Sequence, residues 1–188
     1  MTSASPQHAP VRVDPDRHDI ARAAGGDNAA FARIVDRHLA RVHALAYRAL
    51  GSVAEAEEVV QDAFLRTWKQ LPAWREGEAL LSTWLHRVTL NLANDRLRRR
   101  REQVPIDDVD LHSHDPQPEH ALLAEQREHR LQAALQALPE RQRDALLLCH
   151  YEGVSNAQAA LTLEVSVDAL ESLLARARRQ LRASLADA

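Results

Sequence analysis

One cysteine, one lysine and five glycines in 188 residues exclude several kinds of protein at the outset. Cys149, being alone, permits neither an internal disulfide nor a cysteine-based metal site. Its place in the apolar run ALLLC, residues 145–149, marks it as a small buried hydrophobe. Aromatic residues make up 4% of the chain and no run of β-branched residues is long enough for a strand, so the abundant Ala and Leu point to helix throughout. No stretch approaches the roughly 20 apolar residues of a membrane span. The N-terminal MTSASPQHAPVRVDPDRHD lacks the apolar core of a signal peptide. These absences predict a cytoplasmic protein that is not inserted in a membrane. Catalytic signatures are missing too: no H-E-x-x-H, no glycine-rich phosphate loop, no nucleophile elbow. Asp95 and the Glu57/Glu58 pair read as helix-surface acids, so neither an enzyme nor a cofactor is expected.

What the chain does have is segregated charge. The formal net charge is −3, yet Arg96 and Arg98 to Arg101 form one dense basic cluster while residues 102–130 hold eight acids against two arginines. All basic side chains except Lys69 are arginine. The arginine fork suits phosphate and guanine, although a GC-rich genome also produces Arg- and Ala-rich chains.

Periodicity and punctuation divide the sequence into four parts: a disordered tail (1–26), a helical block (27–101), a flexible acidic linker (102–120) and a second helical block (121–188). The fold class is all-α, two small helical domains joined by that linker. In the first block, Asp27 opens a helix with Phe31, Ile34, Val35, His38, Leu39, Val42, Ala46 and Leu50 at helical spacing, and Gly51 closes it. Ser52 and Glu55 form a capping box for a helix through Trp68. Ala56, Val59, Val60, Ala63, Phe64, Thr67 and Trp68 make its apolar face, and Glu57, Glu58, Gln61, Asp62 and Arg66 its polar one. Ser82 is the expected N-cap of the next helix, which is apolar on two flanks with a narrow polar stripe of Arg87, Asn91, Asn94, Arg98 and Arg101 between them. Pro105, Pro116 and Pro118 interrupt the linker. His112, His114 and His120 stand in this segment without cysteine partners, and a metal is not expected there.

In the second block, Pro139 is read as the first residue of a helix that Gly153 stops. Then comes SNAQAALTLEVSVDALESLLARARRQLR, residues 155–182. Ser155 and Gln158 form a second capping box, and Ser166 is an N-cap for a longer helix. Val167, Leu170, Leu174, Ala177 and Leu181 give that helix a buried stripe, opposite Asp168, Ser172, Ala175, Arg176 and Arg179. A short helix, a tight turn and an arginine-bearing helix are the layout of a helix-turn-helix, whose second helix enters the DNA major groove. Glu164 stands where such turns favour glycine, which predicts local strain.

Three segments in this order resemble one family, the bacterial sigma factors of the extracytoplasmic-function (ECF) type, which keep only regions 2 and 4 of the sigma-70 family. EAEEVVQDAFLRTW (55–68) resembles the helix that docks on the clamp of the RNA polymerase largest subunit. STWLHRVTLNLANDRLRRRR (82–101) is similar to the segment that melts and reads the −10 promoter element. LPERQRDALLLCHYEGVSNAQAALTLEVSVDALESLLARARRQLR (138–182) resembles region 4, which reads the −35 element and touches the polymerase flap. The resemblance implies core polymerase contacts at Glu57, Glu58, Gln61, Asp62, Phe64 and Arg66. It implies −10 contacts at Trp84, Arg87, Asn91, Asn94, Arg98 and Arg101, and −35 contacts at Ser166, Asp168, Ser172, Arg176, Arg178 and Arg179. It further implies three partners: core RNA polymerase, promoter DNA and an anti-sigma factor. The chain departs from the family pattern with Leu80 and Leu81 before Trp84, with Gln158-Ala159-Ala160 in the first helix of the motif, and with Glu164 and Asp168 around the turn.

A freestanding helix-turn-helix regulator is the competing reading. It requires a dimerisation surface or ligand pocket in the first block, where the sequence instead places a polar-striped, Arg-ended helix. A protein that sequesters another factor is a third.

Overall fold

The computed structural model describes residues 13–75, 79–103 and 119–186. Among the described residues all regular structure is helical: α1 (Arg17–Ala24), α2 (Asn28–Leu50), α3 (Val53–Gln70), a 3₁₀ turn (Leu71–Ala73), α4 (Leu81–Gln103), α5 (Glu119–Gln136), α6 (Glu140–Leu146) continuing into a π-wound turn (Leu147–Tyr151), α7 (Asn156–Leu163) and α8 (Val167–Ala186). Most of the acidic linker expected at 102–120 lies outside the described residues, as do the linker histidines 112 and 114.

Local chemistry sets most boundaries. The Asp27 carboxylate accepts the backbone N–H groups of Ala29 and Ala30 to open α2, and Gly51 ends it in the left-handed region at φ 73°. Ser52 caps α3 through the Glu55 N–H. Two starts differ from expectation. Pro139 sits at the N-cap of α6, one residue before its first helical position. Ser82 lies inside α4, which begins at Leu81, and the Leu81 N–H donates to the Asp14 carboxylate at 2.6 Å.

That last contact corrects the expectation of a disordered tail for residues 13–26, residues 1–12 lying outside the described residues. Residues 17–24 form α1, whose Ile20 and Ala23 are buried. Asp16 is 1% exposed and meets Arg37 and the His38 ring (Nε2, 2.7 Å), while Asp19 accepts from Arg33 at 2.6 Å and from Arg37 at 3.1 Å. Buried carboxylates persist only when paired and hydrogen-bonded, and here the partners are successive turns of α2. Desolvation also holds the His38 imidazole below its ordinary pKa.

Helices α1 to α4 pack as one bundle and α5 to α8 as a second. The buried apolar side chains of both, from Ile20 to Ala177, nevertheless form one continuous cluster. The two blocks join along two seams. At the first, α5 covers the C-terminal end of α2: the Gln132 amide donates to the carbonyls of Tyr47 (3.3 Å) and Arg48 (2.8 Å), and the Gln136 amide to that of Leu50 (2.6 Å). The carbonyls left open at a helix end are thus satisfied from the other block. Arg48 also lies 4.1 Å from the ring centroid of Tyr151. At the second seam, α4 packs against α7, with side-chain contacts to α6. Blocks this small bury limited surface alone, and each uses the other.

Candidate polymerase and nucleic-acid interfaces

The helix-turn-helix forms from the signals the sequence carries. The Ser155 hydroxyl accepts the Gln158 N–H and also contacts its side chain, closing the capping box of α7. The Ser166 hydroxyl accepts the Ala169 N–H to open α8. Between them Glu164 is left-handed, at φ 54° and ψ 48°, the one non-glycine residue with positive φ among the described residues. Leu170, Leu174 and Ala177 pin α8 to the core, while Val167, placed on the same stripe by sequence, is 42% exposed and Leu181 is half-buried. All the −35 candidates are exposed: Asp168, Ser172, Arg176 and Arg179 on the opposite face, Ser166 at the N-cap, and Arg178 beside the buried stripe. Arg178 donates to the His150 ring at 3.1–3.3 Å. Small polar groups near the N-terminal end and guanidiniums further along suit base edges and then phosphates.

Helix α4 is more complicated than one exposed stripe. Asn91 and Arg101 are exposed as expected. Arg87 pairs with Glu164 at 2.8 Å, and Arg98 lies 3.4 Å from both Glu140 and Asp95. Asn94 is 3% exposed: its Nδ2 donates to Asp144 Oδ2 at 2.7 Å, and its Oδ1 accepts from Arg143 Nη2 at 2.6 Å. His86 and Thr89, which sequence did not single out, are buried on this helix. His86 Nε2 stands 3.4 Å from a Glu152 oxygen. Trp84 is half-buried, edge-on to Trp74 with centroids 6.0 Å apart, and its indole N–H has no partner. Hence the −10 candidates come together on α4, but four of its polar groups, Arg87, Asn94, Arg98 and His86, face acids or an Arg–Asp pair of the second block.

The buried pair itself is electrostatically costly. Burial pushes the Asp144 carboxyl up to about 7, against the lowering effect of the Asn94 hydrogen bond and the Arg143 charge. Burial lowers the Arg143 guanidinium. Arg143 Nε is 4.0 Å from Asp144 Oδ1, too long for a hydrogen bond, and Arg143 Nε and Nη1 and Asp144 Oδ1 have no partner.

On α3, Glu57, Glu58, Gln61 and Arg66 are exposed and Asp62 half-buried. Arg96 of α4 reaches this face, 2.5 Å from Glu58 and 3.7 Å from Asp62, while Arg100 pairs with Glu55. Phe64 is a correction: it is 7% exposed and belongs to the core, and the apolar side chain facing outward is its neighbour Leu65, at 56%. Among the described residues no group of His, Cys, Asp and Glu has the arrangement of a metal site, and no helix is long and apolar enough to cross a membrane.

Comparison with known proteins agrees with this layout. The Sigma-70 region 2 family model matches residues 34–103, and the model for Sigma-70, region 4 matches 128–181. The chain is 37% identical over 170 residues to the ECF RNA polymerase sigma factor SigE of Mycolicibacterium smegmatis, covering 87% of this chain and 65% of that relative. It is 35% identical to the RNA polymerase sigma factor NccH of Alcaligenes xylosoxydans xylosoxydans, covering 87% of this chain and 91% of the relative. Among solved structures it resembles CnrH in complex with the cytosolic domain of CnrY, with TM-score 0.70, 30% identity, and 93% and 99% of the two chains covered. It also resembles the sigma factor RpoE bound to the anti-sigma factor NepR from Bartonella quintana, with TM-score 0.64, 25% identity, and 82% and 96% covered. Two sigma regions in the right order, matched across nearly the full length of a sigma factor, show that this chain belongs to the ECF-type sigma factors of the sigma-70 family.

Proposed function

We propose that the chain is a non-catalytic specificity subunit that docks on core RNA polymerase through α3 and carries two DNA readers, α4 for the −10 element and α8 for the −35 element. The observation that carries this reading is the exposed polar face of α8, from Ser166 to Arg179, set on a doubly capped helix-turn-helix. On α4, Asn91 and Asn94 supply amide donors and acceptors for unstacked bases, with Arg87, Arg98 and Arg101 for phosphates. On α3, the acids Glu57, Glu58 and Asp62 with Gln61 and Arg66 suit a basic surface of the polymerase clamp, and Leu65 rather than Phe64 supplies its apolar anchor. Neither reader needs to bind tightly alone, because tethering through polymerase makes the second contact intramolecular. The work is cytoplasmic, where polymerase and promoter are found. An anti-sigma factor is the expected regulator, as the RpoE neighbour is bound to one.

Run-off transcription with purified core polymerase and a promoter library from the source genome tests the reading. Initiation is expected from specific promoters, with Arg176→Ala impairing promoters that depend on the −35 element and Arg98→Ala impairing all. Tight operator binding without polymerase, and no initiation, would sink it.

A further inference from the structure

Helix α4 begins at a residue that its own neighbourhood does not cap. The residue before Leu81 is Leu80, whose side chain has no hydrogen-bond acceptor, and Ser82, the expected N-cap, is already the second residue of the helix. The cap comes instead from Asp14, 67 positions earlier, whose Oδ2 accepts the Leu81 N–H at 2.6 Å. We infer that Asp14 is a positioning residue for promoter melting: it fixes where α4 starts and so where Trp84 is held, acting through that ring rather than on DNA. The inference rests on α4 being the −10 reader.

The capping carboxylate is itself held. Asp14 Oδ1 accepts the Asp16 N–H at 2.8 Å, and the Asp16 side chain meets Arg37 and His38 of α2. A line of hydrogen bonds thus runs from α2, through the residues before α1, to the first turn of α4. The same segment braces the other tryptophan. Helix α1 packs against the 3₁₀ turn Leu71–Ala73, which hands the chain to Trp74, and Trp74 meets Trp84 edge-on. Both rings are half-buried. A melted strand is read by laying unstacked bases on aromatic faces. Trp84 is the fourth residue of α4, so its ring is in place only while the first turn is wound.

The sequence holds a second way to start this helix. Ser and Asp are both preferred N-caps. With Asp14 removed, Ser82 becomes the local cap, the helix starts at Thr83, and the buried Leu81 leaves the wound turn. Trp84 then stands at the second helical position, in a turn whose amides have no helical partners. Stability changes little, because one cap replaces another. The ring loses its place, and strand reading is separated from folding.

The test uses the full chain on core polymerase, at a promoter found by run-off transcription, with 2-aminopurine in the −10 element reporting strand separation. Asp14→Ala should slow strand separation by about tenfold, the scale of one lost N-cap. Its thermal midpoint and its capture of core polymerase should stay near wild type, and amide exchange should quicken within residues 81–84. Asp14→Asn keeps an acceptor for the Leu81 N–H and should recover most of the rate. Normal melting by Asp14→Ala, with Trp84→Ala slow, overturns the inference and leaves α4 as reader. Normal melting by both overturns the assignment of Trp84 to the −10 element, and the inference with it. If Asp14→Ala lowers the thermal midpoint and Asp14→Asn is equally slow, Asp14 is a packing residue only and the inference falls.

Discussion

Glu164 is a residue in the wrong backbone for its side chain. Its left-handed conformation costs a Cβ-bearing residue about 1–2 kcal/mol relative to glycine, and what it gains is an exposed pair with Arg87, 46% and 66% accessible. Exposed pairs contribute about 0–1 kcal/mol. Glu164→Gly is therefore expected to raise stability by about 1 kcal/mol, a rise of about 2–4 °C in Tm for a chain of this size, measured by calorimetry. A lowered Tm would mean that the pair outweighs the strain. The conflict was legible in the sequence, because a helix-turn-helix turn has a known demand for positive φ. The fate of Asn94 was not. Its partners lie 49 and 50 positions away, and no local pattern announces that a polar stripe will be covered.

At the scale of the helix, the apolar face expected for α3 is buried through Thr67, with Trp68 half-buried at its end, and Phe64, being part of that face, is not available for docking. Ala56, Val59, Val60, Ala63 and Thr67 are buried, and Phe64 follows them into the core while Leu65 turns out. Helical periodicity locates the centre of a buried stripe; how far it spreads depends on the neighbours, here α2 and α4. The distinction can be measured. Phe64→Ala should destabilise the fold by about 3–5 kcal/mol in a denaturant titration. Leu65→Ser should leave the denaturant midpoint nearly unchanged and weaken capture of core polymerase in a pull-down. If both variants unfold alike, Leu65 is a packing residue and not a docking one. By contrast α7 and α8 were legible almost to the residue, because capping boxes are local chemistry. Helix α1 escaped notice since only Ile20 and Ala23 are buried apolar residues on it. The available signal was the match between Asp16 and Asp19 and the Arg33, Arg37, His38 spacing on α2.

For the whole molecule, the order of elements and the division into two blocks could be read from composition, but their mutual packing could not. That packing carries a pH dependence. In the closed form the Asp144 carboxyl is raised to about 7 from its ordinary 3.8, chiefly by burial; Asn94 and the Arg143 and Arg141 charges pull it down, and Glu140 pushes it up. Opening returns it to water. The closed form then holds the proton more tightly, so closure is favoured at low pH, weakens as pH rises from about 4 towards about 7, and levels off above. Scattering at about pH 5.5 and about pH 8 should show the more compact average at the lower value, and Asp144→Asn should flatten the difference. The opposite trend would mean that the neighbouring carboxylates, and not Asp144, govern closure.

The stretch by which the family recognises its first region starts at residue 34, yet Asp14 seats the first amide of α4, and Asp16 and Asp19 bind α2 through Arg33, Arg37 and His38. The start of the family model's match is thus not the start of the folding unit. Anyone trimming this protein to the span of the two family models would keep every residue proposed for a promoter or for polymerase, and would discard the carboxylates that seat the first amide of α4 and tie α1 to α2.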